Sequence, residues 1–305
     1  MNGPVQARND QPIPNRIMRC AVVALMFPAA LGATGCSLIS HLGTDLRGAS
    51  LGKTFYVGGA GPFGNIGTLD VPAGLRDGGY EGAIEVFGWQ SWLGGTLRDQ
   101  LDRKRNKGQA RRLARMIRRH LDRYPNSRVN IIALSAGTGV ATWALERLPE
   151  KYRVANVVFL GSSLSRQYDL SKALRRVDGK LYNFYSTRDR ILRYAIALSG
   201  SIDGEFQGPN VAGLYGFAHS RRSDAPTRAL YAAHVRNLPW RRAYARFGYH
   251  GLHTDGTNPR FIARIVTPKL TRLDDRGVAD DEKPSNGEEP ATSQPTSLHS
   301  RAEGG

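Results

Sequence analysis

Between residues 53 and 191 the chain alternates short, β-branched apolar runs with segments whose apolar positions recur every three to four residues. The runs at residues 53–57, 82–88, 128–134, 153–160 and 180–185 predict strands. Residues 97–123, 137–148, 170–177 and 261–270 predict helices, the second stopped by Pro149. Near-continuous apolar strands separated by helices point to an α/β fold, with a mostly parallel central sheet covered by helices on both faces. From Ile191 to Phe247 the pattern yields no element, and no internal repeat is visible.

The ends depart from this alternation. Residues 20–33 are apolar, follow Arg16 and Arg19, and close on small residues, the order of a secretory signal. They are too few for a comfortable membrane span. Past Leu273, Asp274, Asp275, Asp280, Asp281, Glu282, Glu288 and Glu289 alternate with Pro, Ser, Thr and Gly, a composition that cannot bury enough apolar surface to offset chain entropy. The expected organisation is a signal over 1–36, a tether over 37–52, one domain over 53–273 and a disordered acidic tail over 274–305. Met18 makes a tidier start than Met1. The two cysteines, Cys20 and Cys36, leave the exported chain without an internal disulfide, so its stability must come from its core.

Charge sharpens the picture at one helix. The chain carries a net charge of +17, and residues 97–123 hold eleven of its cations, among them Arg105, Arg111, Arg112, Arg115 and Arg118. Ala110, Leu113, Ala114, Ile117 and Leu121 recur on one side, so the helix is amphipathic with its apolar stripe on a core. The basic side reads as a solvated face or as a surface attracted to anionic headgroups. Nucleic acid is excluded as a partner: no zinc-ligand pattern, single-strand binding motif or interleaved aromatics accompany the arginines. No metal cluster has usable spacing and no cofactor motif is present. Trp89, Trp92, Gly94 and Gly95 read as core and turn, or as a pocket lining.

The chemistry concentrates where the third strand ends. Asn130-Ile131-Ile132-Ala133-Leu134 runs into Ser135-Ala136-Gly137-Thr138-Gly139, and a helical segment follows at once. This is the sequence form of a strand, a tight turn and a helix with a hydroxyl at the apex, Ala133 standing where the strict G-x-S-x-G pattern has glycine. A serine there, beside a helix N-terminus, is placed to attack a carbonyl.

With these motifs the chain, over roughly residues 53–273, resembles the α/β-hydrolase superfamily. A full member opens with two antiparallel strands, and both are not found before Lys53, so the resemblance implies a shortened sheet. It implies a serine hydrolase cleaving an ester, of a small molecule or a lipid, with the chain order nucleophile, acid, histidine. Ser135 is then the nucleophile and Asp189, in the polar turn after the 180–185 strand, the acid, with Asp169 as rival. Asp189 also reads as an ordinary helix N-cap. Among seven histidines, His41, His120 and His299 fall outside the pattern by position, and His219 and His234 sit in the unassigned region. The loop Tyr249–Asp255 remains, where His253 fits the base better than His250. Ala136 and Ala60 are the implied oxyanion donors, the latter from Gly58-Gly59-Ala60-Gly61, with Gly61 as alternate. Ala33-Thr34-Gly35-Cys36 resembles the lipobox of bacterial lipoproteins, with Ala33 where leucine is usual. It implies export, cleavage before Cys36 and membrane anchoring through a lipid on that cysteine. A non-catalytic envelope lipoprotein that keeps the fold as a binding or scaffolding module is the alternative.

Overall fold

The computed structural model describes residues 42–60, 66–91, 95–205 and 208–271, leaving aside the side chains of 96–98. Among them six strands form one sheet in the order β2-β1-β3-β4-β5-β6, every pair parallel: β1 Gly52–Val57, β2 Ala83–Val86, β3 Arg128–Leu134, β4 Asn156–Leu160, β5 Leu181–Tyr185 and β6 Val235–Pro239. The helices between them are α1 Asp70–Asp77, α2 Gly95–Leu101, α3 Arg103–Arg123, α4 Gly137–Leu145, α5 Ser171–Leu174, α6 Arg190–Ser199, α7 Ala212–Tyr215 and α8 Ala225–His234. A final helical run passes from α9 Pro259–Phe261 through a π-helical stretch, Ile262–Val266, into α10 Thr267–Thr271.

The period-two side-chain alternation of each strand feeds two cores. Phe55, Val57, Ile131, Ala133, Val157 and Phe159 face a cluster containing Leu113, Ile117 and Val140 of α3 and α4. Tyr56, Ile132, Leu134, Val158 and Leu160 face a second cluster with Leu75 of α1 and Phe261 and Ile262 of the closing run. Both faces are therefore covered, as near-continuous apolar strands require.

Three readings need correcting. The single helix expected over residues 97–123 is two: the chain breaks at Asp102, whose side chain caps α3 by accepting from the Arg105 N–H at 3.0 Å. The unassigned stretch 191–247 holds α6, α7, α8 and the edge strand β6. Residues 42–51, read as tether, lie along β2: Asp45 exchanges backbone hydrogen bonds with Ile84 at 2.8 and 2.7 Å, and Arg76 pairs with its carboxylate at 2.8 Å. The segments read as signal and acidic tail, with Cys20, Cys36, His41 and His299, lie outside the described residues, as do Gly61, Trp92 and Gly94.

Most of the helix's arginines are exposed, and two of them have partners in the fold. Ala110, Leu113, Ala114 and Ile117 are buried as the pattern demanded, and Arg111, Arg115 and Arg118 are exposed. Arg105 instead reaches the Asp99 carboxylate at 3.2 Å and the Trp89 carbonyl, while Arg112 donates to the Gly88 carbonyl and lies over Phe87. These two arginines tie the helix to the loop after β2.

Candidate active site

At the carboxyl end of β3 the chain makes the sharp turn its small residues allow. Ser135 has φ = 53°, the only positive φ of a non-glycine among the described residues. For a residue with a β-carbon that conformation costs about 1–2 kcal/mol, so the surrounding contacts must hold it. They are visible: the Ser135 N–H donates to the Leu160 carbonyl at 3.0 Å, and its carbonyl accepts from the Thr138 N–H at 3.0 Å and the Thr138 hydroxyl at 2.6 Å. Thr138 in turn meets the Ser162 hydroxyl at 2.9 Å. Gly137 has no room for a side chain, since a β-carbon there would lie 2.3 Å from the Gly58 carbonyl oxygen.

Asp189 and His253, 64 residues apart, meet: Nδ1 of His253 lies 2.7 Å from Oδ2 of Asp189. The carboxylate is buried, with 3% of its side chain exposed, and the imidazole nearly so at 9%. A carboxylate oxygen can only accept, so Nδ1 is the donor in this contact. The second oxygen of Asp189 accepts from the Leu192 N–H at 2.8 Å and caps α6. The N-cap and partner-of-histidine readings of Asp189 are thus both realised, one on each oxygen.

Serine and pair share one edge of the sheet. Leu134 and Leu160 are in register on β3 and β4, and a β-carbon on Gly161, next after Leu160, would stand 3.3 Å from Nδ1 of His253 and 3.4 Å from Oδ2 of Asp189. No hydrogen bond joins Ser135 to His253 among the described residues; such contacts often tighten only when substrate fills the site.

The candidate oxyanion loop is fixed from behind. Trp89 donates its indole N–H to the Gly58 carbonyl and Gln90 its amide to the Gly59 carbonyl, both at 2.8 Å. Trp89 is itself core, 1% exposed. Ala60, half-buried, continues this loop, and Ala136, fully buried, sits at the N-cap of α4. Gln90, which bonds the Gly59 carbonyl, and Ser162, which meets the Thr138 hydroxyl, stand in no motif of the sequence.

The alternates, Asp169 and His250, make no hydrogen bond to this pair among the described residues. Asp169 accepts from the Ser171 N–H at 2.9 Å at the head of α5. His250 is exposed, its backbone N–H held by Asp255. His234 binds the Gly179 carbonyl at 2.7 Å, and His120 the Ser127 hydroxyl at 2.7 Å. Among the described residues no group of three or more His, Cys, Asp or Glu could hold a metal ion, and no helix is long and apolar enough to cross a membrane.

Residues 94–190 match the family model described as "alpha/beta hydrolase fold", and the six-stranded parallel sheet with helices on both faces is consistent with that fold. No curated protein matches the chain by sequence. Similar solved structures include Aspergillus fumigatus lipase B (13% identity, 74% of this chain and 54% of that one, TM-score 0.46). Others are a Trichoderma reesei cutinase in complex with a phosphonate inhibitor (17%, 51% and 78%, 0.33) and esterase PE8 (10%, 68% and 86%, 0.39). The chain spans about half the length of the lipase it matches.

Proposed function

We propose that this chain is a serine hydrolase that cleaves carboxylic esters. The observation that carries the reading is the 2.7 Å contact between buried Asp189 and His253, on the same sheet edge as a serine held at positive φ. In the proposed reaction Nε2 of His253 takes the hydroxyl proton as Ser135 Oγ attacks the ester carbonyl. Asp189 keeps the imidazole oriented and stabilises its charged form. The N–H groups of Ala136 and Ala60 receive the oxyanion. The imidazolium then protonates the departing alcohol, and water, deprotonated by the same nitrogen, releases the acid and restores the serine.

Hydrolysis of p-nitrophenyl butyrate tests this. Ser135→Ala, His253→Ala and Asp189→Ala should each lower kcat by about a thousandfold or more, with His250→Ala and Asp169→Ala near wild type. Activity that survives Ser135→Ala would refute the reading. The scaffold alternative draws on the absent Ser135–His253 hydrogen bond and on Ala133; a folded chain inert to every ester and to serine-directed probes would favour it.

We also place the protein outside the cytoplasm, anchored by a lipid on Cys36, from the apolar segment and small residues that precede that cysteine. Metabolic labelling with a fatty acid should mark the chain and be lost in Cys36→Ser. Nucleic acid is not among the proposed partners.

A further inference from the structure

The sheet edge that holds the candidate site also gathers exposed apolar side chains. Leu69 precedes α1, Leu101 ends α2, Ile191, Tyr194 and Leu198 stand on α6 directly after Asp189, and Leu252 adjoins His253. Their exposure runs from 45% at Leu101 to 87% at Leu198. On α6 the arrangement is two-sided: Leu192 and Ile196 are buried, while Ile191, Tyr194 and Leu198, at spacings of three and four, form an apolar stripe facing outward. Water does not favour such a stripe, and exposed apolar side chains aligned on one helix face suit a docking surface.

Charge says what docks. Arg190 and Arg193 of α6 and Arg103 and Lys104 of α3 are exposed at the same edge; Arg193 and Arg103 donate to the Thr187 and Asp203 carbonyls, and none of the four forms an ion pair among the described residues. Apolar side chains flanked by cations fit the boundary between anionic headgroups and acyl chains. The chain also enters the fold here: the Thr44 hydroxyl accepts from the N–H of Val86, the last residue of β2. The described chain therefore begins beside the carboxyl end of β2, on the edge of the sheet that carries the site.

We propose that this edge docks on an anionic lipid surface, and that the ester cleaved is an amphiphile taken from that surface. The substrate class rests on the hydrolase reading; the docking does not. Asp189, which caps α6 with one oxygen and holds His253 with the other, couples the seating of α6 to the catalytic pair.

Vesicle sedimentation of the chain from Ser37 onward, carrying Ser135→Ala, tests the docking without turnover, signal segment or acyl anchor. Vesicles of phosphatidylglycerol with phosphatidylcholine should bind it, and added Tyr194→Asp and Leu198→Asp should weaken binding by about tenfold or more, with Tm unchanged. A Leu198→Trp chain should shift its emission to the blue on the same vesicles. Unchanged partitioning of the double variant, an unshifted tryptophan, or a wild-type dimer that the variant breaks without any vesicle binding would overturn the proposal. Ester turnover by the wild-type chain, read in parallel, separates the two claims. Vesicle binding without turnover keeps the docking face and removes the hydrolase, and turnover without vesicle binding removes the docking face alone.

Discussion

At the scale of single residues the site is a set of small conflicts between local preference and surroundings. Ser135 is strained because it has a β-carbon at φ = 53°. Ser135→Gly should therefore gain up to about 1 kcal/mol in denaturant unfolding, where Ser135→Ala gains nothing from relief of strain. Both should be inactive, the trade expected where strain serves function. The two oxygens of Asp189 make its roles separable. Asp189→Asn keeps an acceptor for the Leu192 N–H but offers Nδ1 of His253 a donor instead of a carboxylate. It should lose roughly ten-thousandfold in kcat with stability nearly intact. Asp189→Ala should lose the activity and, in addition, about 1 kcal/mol of helix capping. Gly161 needs its φ of 53°, and a methyl there would press on His253 and Asp189, so Gly161→Ala should impair turnover while the serine itself is untouched.

Among elements, the elbow explains which parts of its motif matter. Ala133, in place of the first glycine, is fully buried in the core between sheet and helices, where a methyl is welcome. Gly137 faces the backbone of β1, with Val57 and Gly58 oxygens 2.4 and 2.3 Å from where a β-carbon would sit. Gly137→Ala should cost about 3 kcal/mol or more, readable as a shift in the denaturation midpoint. A second effect belongs to α3. Burial, helped by Lys53, lowers the His120 imidazole to about 4, below the usual value of 6.5. The unfolded chain then binds its proton first as pH falls. The stability held above pH 6.5 should therefore decline between about 6.5 and 4, and His120→Gln should flatten that slope.

The strands that could be read from sequence are those buried on both faces, since continuous apolar runs leave little choice. Strand β6, Val-Arg-Asn-Leu-Pro, could not be: it is a partly exposed edge whose proline ends the pairing, so neither run nor alternation appears. The break at Asp102 was hidden because the apolar stripe that defined the helix begins only at Ala110. Asp189 and His253 followed from chain order within a resemblance; their contact, across 64 residues, is a property of the folded sheet.

For the whole molecule, the parallel sheet sets the design. All six strands point their carboxyl ends to one edge, which collects the serine turn, the Asp–His pair, the loop from Gly58 and the exposed apolar residues of α6. The opposite commitments of the chain's surface, a strongly basic α3 and an apolar rim, are legible as composition but gain meaning only from placement. The α3 arginines flank the sheet, and two of them, Arg105 and Arg112, brace the loop behind the site. Loosening that brace should be felt at the chemistry: Arg112→Ala, which frees the Gly88 carbonyl and uncovers Phe87, should lower kcat for p-nitrophenyl butyrate severalfold without changing the labelling site.

An activated serine at position 135 can be trapped by treating the folded chain with a fluorophosphonate and mapping the adduct by peptide mass spectrometry. One phosphonylated residue, Ser135, is expected, with the adduct lost in His253→Ala. A native chain that stays unlabelled, or one labelled at another serine, would contradict an activated Ser135.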